Sequence, residues 1–130
     1  MKLQDLKTFE GACKVLSLDP KKVVPAFTGF PTKDQKAMIA HAKLVIVARA
    51  ANRIGNNGKD WKPDWNNGKW DKWHNWFWMN KEGSSGFRFN VYDAWSSYSD
   101  VGSRLCFCSR EVAEHVAKTF IKLYKDYFVM

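Results

Sequence analysis

The chain has 130 residues, 45% hydrophobic and 26% charged, with a formal charge of +8. That is the length of one domain able to bury its own core, and the composition is too apolar for a disordered polymer. Three cysteines argue against a secreted disulfide framework, no uncharged run is long enough to span a bilayer, and the opening MKLQDLKTFE lacks a signal peptide's apolar stretch, so the expected location is cytoplasmic.

Thr8 is placed to cap a short first helix, with Phe9, Ala12, Cys13 and Leu16 at inward spacing and an end near Ser17. Leu18, Asp19 and Pro20 are expected to make a turn or to start a brief helix that Pro25 ends, and Phe27, Phe30 and Pro31 form an apolar loop expected to lie against the core. Thr32 with Gln35 three residues on matches a capping box for a second, longer helix that runs to about Ile54, with Gly55 as its stop. Residues 37–51 are apolar on nearly every side, which predicts a central helix covered on most of its surface. The positive charge concentrates here: residues 32–55 carry five basic residues and one acid. A basic surface favours anionic partners, although snorkelling lysines and arginines at a helix rim give the same count.

Six of the seven tryptophans fall within residues 61–78, in WKPDWNNGKWDKWHNWFW. The turn dipeptides Asn57-Gly58 and Asn67-Gly68 punctuate this stretch, and Pro63 argues against a regular strand at its start. Strands are expected at 73–80, 87–92 and 104–108, with a polar turn at 81–86 and a loop at 93–103. In the second strand Phe87, Phe89 and Val91 alternate with Arg88, Asn90 and Tyr92. Ser109 caps the last helix, whose stripe is Ala113, Val116, Ala117, Phe120 and Tyr124, and the closing YFVM is expected to dock on the body. The predicted fold is a single α+β domain: a small antiparallel sheet of about three strands packed against two longer helices, with a Trp-rich loop segment covering the other face.

Four pieces of the chain carry a resemblance: TFEGACKVL, KDQKAMIAHAKLVIVARA, KPDWNNGKWDKW and VGSRLCFCSREVAEHVAKTFIKLYKDYF. Together they resemble a family of small uncharacterised proteins of Bacteroidetes phages and prophages. DWNNGKW and the VGSRLCF stretch are the most specific parts, and RIGNNGK before the first Trp departs from the family pattern by lengthening the loop. The resemblance implies a phage setting, an intracellular or virion location and no secretion. It transfers no catalytic or binding residue.

A dense set of indoles needs either a core to fill or a flat ligand to cover. Stacking on an aromatic face is worth about 1–3 kcal/mol per base, and arginine adds charge-assisted bonds to phosphate. Trp61, Trp65, Trp70 and Trp73 are therefore candidates for stacking, Arg88 and Arg104 for meeting negative charge, and Asn90 and Tyr92 for polar contacts. Lysine and aspartate alternate through the Trp segment, in Lys59-Asp60, Lys62 and Asp64, and Asp71-Lys72. A groove that tracks a polyanion is more one-sided, so the pattern suits a nucleotide-like anionic small molecule better than a long nucleic acid. In a phage, such binding would sequester a nucleotide signal of host defence. The alternative is a protein–protein interaction module, an inhibitor of a host protein or a minor virion component, because exposed Trp, Tyr and Arg are common interface anchors. Oligomeric state is open. No enzyme is expected: the serines lack a nucleophile-elbow setting, no glycine loop has a phosphate-cradling form, and no carboxylate spacing predicts a pair. Cys106 and Cys108 share a strand face, and Cys13, His41, His74 and His115 are scattered, so neither a metal nor a cofactor is expected.

Overall fold

The computed structural model describes residues 1–64, 66, 72–75, 77–78, 88–89, 93–95 and 104–130, the side chains of 78, 88–89 and 93–95 excepted. A 3-10 turn at Leu3–Asp5 opens the chain. Helix α1, Phe9–Val15, begins where Thr8 Oγ1 accepts the Gly11 N–H at 3.0 Å, which satisfies one of the orphan donors of the first turn. It ends before Ser17, whose φ of +57° no helix can continue through.

Helix α2, Thr32–Gly55, is the longest element and packs against α1 and both C-terminal helices. Its start differs from the capping-box expectation. Pro31 is the N-cap, Thr32 is already helical, and Gln35 Nε2 donates to the Phe30 carbonyl at 2.9 Å. Its end differs too. Asn57 and Gly58 take φ of +58° and +81°, and the Gly58 N–H returns to the Arg53 carbonyl at 2.8 Å. This 6→1 closing bond with a left-handed residue before it is the Schellman arrangement, so the Asn57-Gly58 turn stops the helix and Gly55 does not. Gly55 serves packing instead: a Cβ there would lie 2.6 Å from Val112 Cγ2.

The last helical segment divides in two. Ser109 Oγ accepts the Val112 N–H at 3.3 Å at the start of α3, Arg110–Thr119, and Phe120 (φ −112°, ψ 28°) separates it from α4, Ile121–Phe128. All five residues of the expected stripe, Ala113, Val116, Ala117, Phe120 and Tyr124, are buried. The closing tail splits: Tyr127 and Phe128 pack on the core edge while Val129 and Met130 are exposed.

The α+β expectation is overturned. The body is helical, and its hydrophobic core joins Leu6, α1, one face of α2, α3 and α4 with Phe107, while Trp73, Phe77 and Leu105 pack against it half-buried. Extended structure among the described residues is short. β1, Lys72–His74, pairs antiparallel with β4, Asp93–Trp95; β2, Phe77–Trp78, pairs antiparallel with β3, Arg88–Phe89. These are two separate two-stranded ladders of two or three residues, not one three-stranded sheet laid on helices. The 104–108 stretch contributes one bridge, Phe107 to Trp73, with both backbone bonds made at 2.8 and 3.2 Å. Alternation of apolar residues gave the strand signal, but helix-on-helix burial supplies the core, so no broad sheet face is needed to cover it.

The Phe27 and Phe30 loop also departs from expectation. Its rings meet edge to face at 5.6 Å, yet Phe30 is 43% exposed and Phe27 sits at φ +55°. The aromatic pair covers itself rather than the core.

The candidate pocket between the second and fourth helices

The i, i+3, i+4 spacing of Tyr124, Tyr127 and Phe128 sets three rings on one face of α4. That face looks across to His41 on α2, whose imidazole lies 4.4 Å from the Tyr127 ring at an angle of 31°. Asp126 holds the two helices in register by meeting Lys36 of α2 at 3.4 Å and Lys122 of its own helix at 3.1 Å. The remaining wall comes from the end of β1 and from residues just before Phe107, and the Trp73–Phe107 bridge ties those two segments together. Between them lies an open cavity of about 350 Å³, lined by His41, His74, Asn75, Arg104, Leu105, Tyr124, Tyr127 and Phe128.

Tyr124 is the floor. Its ring packs 4.5 Å from Phe77 and 5.9 Å from Phe128, and its hydroxyl accepts a hydrogen bond from Asn75 Nδ2 at 3.2 Å. Burial pushes the phenol far above its ordinary pKa, so it stays protonated. That bond fixes the Asn75 amide and leaves Asn75 Oδ1 buried with no partner among the described residues. His41 Nδ1 is likewise buried and unpartnered among them. Burial lowers the pKa of both His41 and His74, so at neutral pH each imidazole is uncharged. The positive charge of the pocket is supplied by Arg104, which is exposed at its edge.

A second, wider cavity of about 690 Å³ lies at the other end of α2, beside Met1, Lys14, Val15, Arg53, Ile54, Asn57 and Gly58. Its guanidinium is already engaged: Arg53 donates to Asp60 at 2.6 and 2.8 Å and to the Val15 carbonyl at 3.2 Å. It offers less for a ligand than the first.

Of the residues chosen from the sequence, Arg104 lines the pocket. Trp73 sits in β1, half-buried and packed against the core, immediately before the pocket residues His74 and Asn75. Trp61 is half-buried in the segment that follows the Asn57-Gly58 turn. Arg88 lies in β3, and its side chain is outside the description, while Trp65, Trp70, Asn90 and Tyr92 are outside the described residues altogether. Sequence reasoning missed His41, Asn75, Tyr127 and Phe128 as site residues. The ring triplet on α4 is a readable signal, but its spacing reads equally as core stripe and docking tail.

The cysteines are structural in setting. Cys13 and Cys106 are buried, Cys108 is half-buried, and all three are free thiols. Burial raises each thiol pKa, that of Cys106 to about 11. No group of three His, Cys, Asp or Glu side chains among the described residues is arranged to hold a metal ion. No helix among them is long and apolar enough to cross a membrane. No protein-family model, curated protein or solved structure matches the chain.

Proposed function

We propose that this chain is a non-catalytic phage accessory protein of the host cytoplasm that binds a nucleotide-like anionic small molecule, and that the pocket between α2 and α4 is where it binds. The observation that carries the reading is one arrangement: aromatic walls, a guanidinium at the edge, and lining residues His41 and Asn75 that each carry a buried polar atom without a partner among the described residues. An apolar, ring-lined cavity with a few placed polar groups is the usual form of a small-molecule site. The volume of about 350 Å³ stands at the small end of such sites, which favours a mononucleotide over an oligonucleotide. Sequestering a nucleotide signal of host defence is the role that suits the phage resemblance.

The test is thermal unfolding with a panel of linear and cyclic nucleotides. A ligand at one hundred times its Kd stabilises the fold by about 2.7 kcal/mol, a readily measured rise in Tm. The rise should vanish in Arg104→Ala, since Arg104 is exposed and its loss leaves the core intact. A panel that leaves Tm unmoved throughout sinks the proposal.

One observation favours a second reading, a surface for another protein. Phe30 is 43% exposed on a loop near Lys21, Lys22 and Lys33 in sequence, and an exposed aromatic with basic neighbours suits an acidic partner. Capture of one host protein by the wild type and equally by Phe30→Ser would count against that surface.

A further inference from the structure

Stacking and charge alone would let the pocket take any flat anion, but its interior is more particular than that. Asn75 cannot turn freely, because its Nδ2 donates to the buried Tyr124 hydroxyl at 3.2 Å. The opposite end of the same amide, Oδ1, is thereby aimed away from Tyr124 as an acceptor, buried and unpartnered among the described residues. His41 is held in its plane by the Tyr127 ring at 4.4 Å, and its Nδ1 is also buried and unpartnered among them. Native proteins rarely leave buried polar atoms unsatisfied, and two such atoms on residues that line one cavity call for a partner that the described residues do not supply.

Resting on the nucleotide reading above, we infer that the ligand is a nucleoside monophosphate whose base edge carries an N–H donor, which Asn75 Oδ1 accepts, while Arg104 receives the phosphate. His41 Nδ1 completes the contact with the neighbouring atom of that edge, since a neutral imidazole adopts whichever tautomer its partner requires. One arginine suits a single phosphate rather than a chain of them. Both polar groups are fixed before the ligand arrives, so little ordering is needed when it binds.

The experiment compares wild-type affinity by calorimetry for AMP, IMP, CMP and UMP with that for purine riboside and 2-pyrimidinone riboside 5′-monophosphates. The last two keep the ring and the phosphate but have no N–H on the base edge. The expected result is that at least one natural nucleotide binds about tenfold or more tightly than its donorless counterpart. In Asn75→Ala, checked for its fold by circular dichroism, that ratio should fall to near one. Equal binding of a natural nucleotide and its donorless counterpart overturns the inference and leaves the nucleotide reading standing. Ribose 5-phosphate binding as tightly as AMP overturns the inference and the nucleotide reading with it, because the base then contributes nothing. If none of the monophosphates binds while a cyclic or longer nucleotide does, the ligand class inferred here is wrong. If no nucleotide of any kind binds, the function proposed above fails with it. The wild-type comparison alone decides the matter should the variant not fold.

Discussion

Asn52 and Cys108 are 56 residues apart in the chain, and Asn52 Oδ1 accepts the Cys108 backbone N–H at 2.9 Å. The other end of the same amide donates from Nδ2 to the Cys106 carbonyl, also at 2.9 Å. One buried side chain on α2 thus satisfies two backbone groups of the extended segment, in the way a neighbouring strand would. Asn52→Leu keeps the branched shape and removes both partners. It should cost about 2–4 kcal/mol, two buried groups each losing about 1–3 kcal/mol less what water recovers. Urea denaturation monitored by fluorescence measures this, and a loss under 1 kcal/mol would show that the segment is held by other means.

Gly55 presents a contest between backbone preference and space. Alanine is favoured over glycine in a helix by about 0.5–1 kcal/mol. Here its Cβ would lie 2.6 Å from Val112 Cγ2 and 3.0 Å from Cys108 Sγ. Overpacking costs typically about 1–3 kcal/mol, so Gly55→Ala should be net destabilising. Val112→Ala in the same chain should recover part of that loss, a coupling that a double-mutant cycle reads directly. Additive effects would place the strain elsewhere.

Burial lowers the pKa of His41 and His74 in the folded chain below the ordinary 6.5. The unfolded chain then binds more protons as pH falls through that value, so stability drops on the acid side and is fully present above it. The midpoint of urea unfolding should decline between pH 7.5 and pH 5. His41→Gln should flatten the decline, because one of the two depressed groups is gone. An unchanged slope would show that His41 meets water in the folded state.

The raised pKa values of Cys13, Cys106 and Cys108 predict thiols that stay protonated at neutral pH. A thiol-reactive dye at pH 7.5 should label the native protein slowly, Cys108 first because it is only half-buried, and all three at once in denaturant. Rapid native labelling of Cys106 would contradict its burial.

The helices were legible where local chemistry decides them. Thr8 and Ser109 cap as their spacing requires, and the stripe from Ala113 to Tyr124 enters the core in full. The ends of α2 were harder. Gly55 and Thr32 look like signals, but Pro31 precedes the first turn and the Asn57-Gly58 pair supplies the left-handed residues. The sheet was misjudged because alternation reports which side chains share a face and not how many strands assemble. That depends on long-range pairing, as in the Trp73–Phe107 bridge. The pocket joins residue 41 to residues 74–75, 104–105 and 124–128, and no short-range pattern announces such a meeting. Arg104 enters the sequence reading as a basic residue on the outward face of an expected strand; Asn75 does not, because its meaning comes only from Tyr124.

Both ends of the chain build the core, and His115 Nε2 meets the Leu6 carbonyl at 2.7 Å across 109 residues to join them. On the ribosome this imposes a wait. The first two helices emerge with Leu44 and Val47 lacking the core partners that α3 and α4 supply, and at roughly 5–20 residues per second those partners follow only seconds later. A nascent chain stalled before residue 110 would carry sticky surface, so chaperone engagement should peak in that window and end on release.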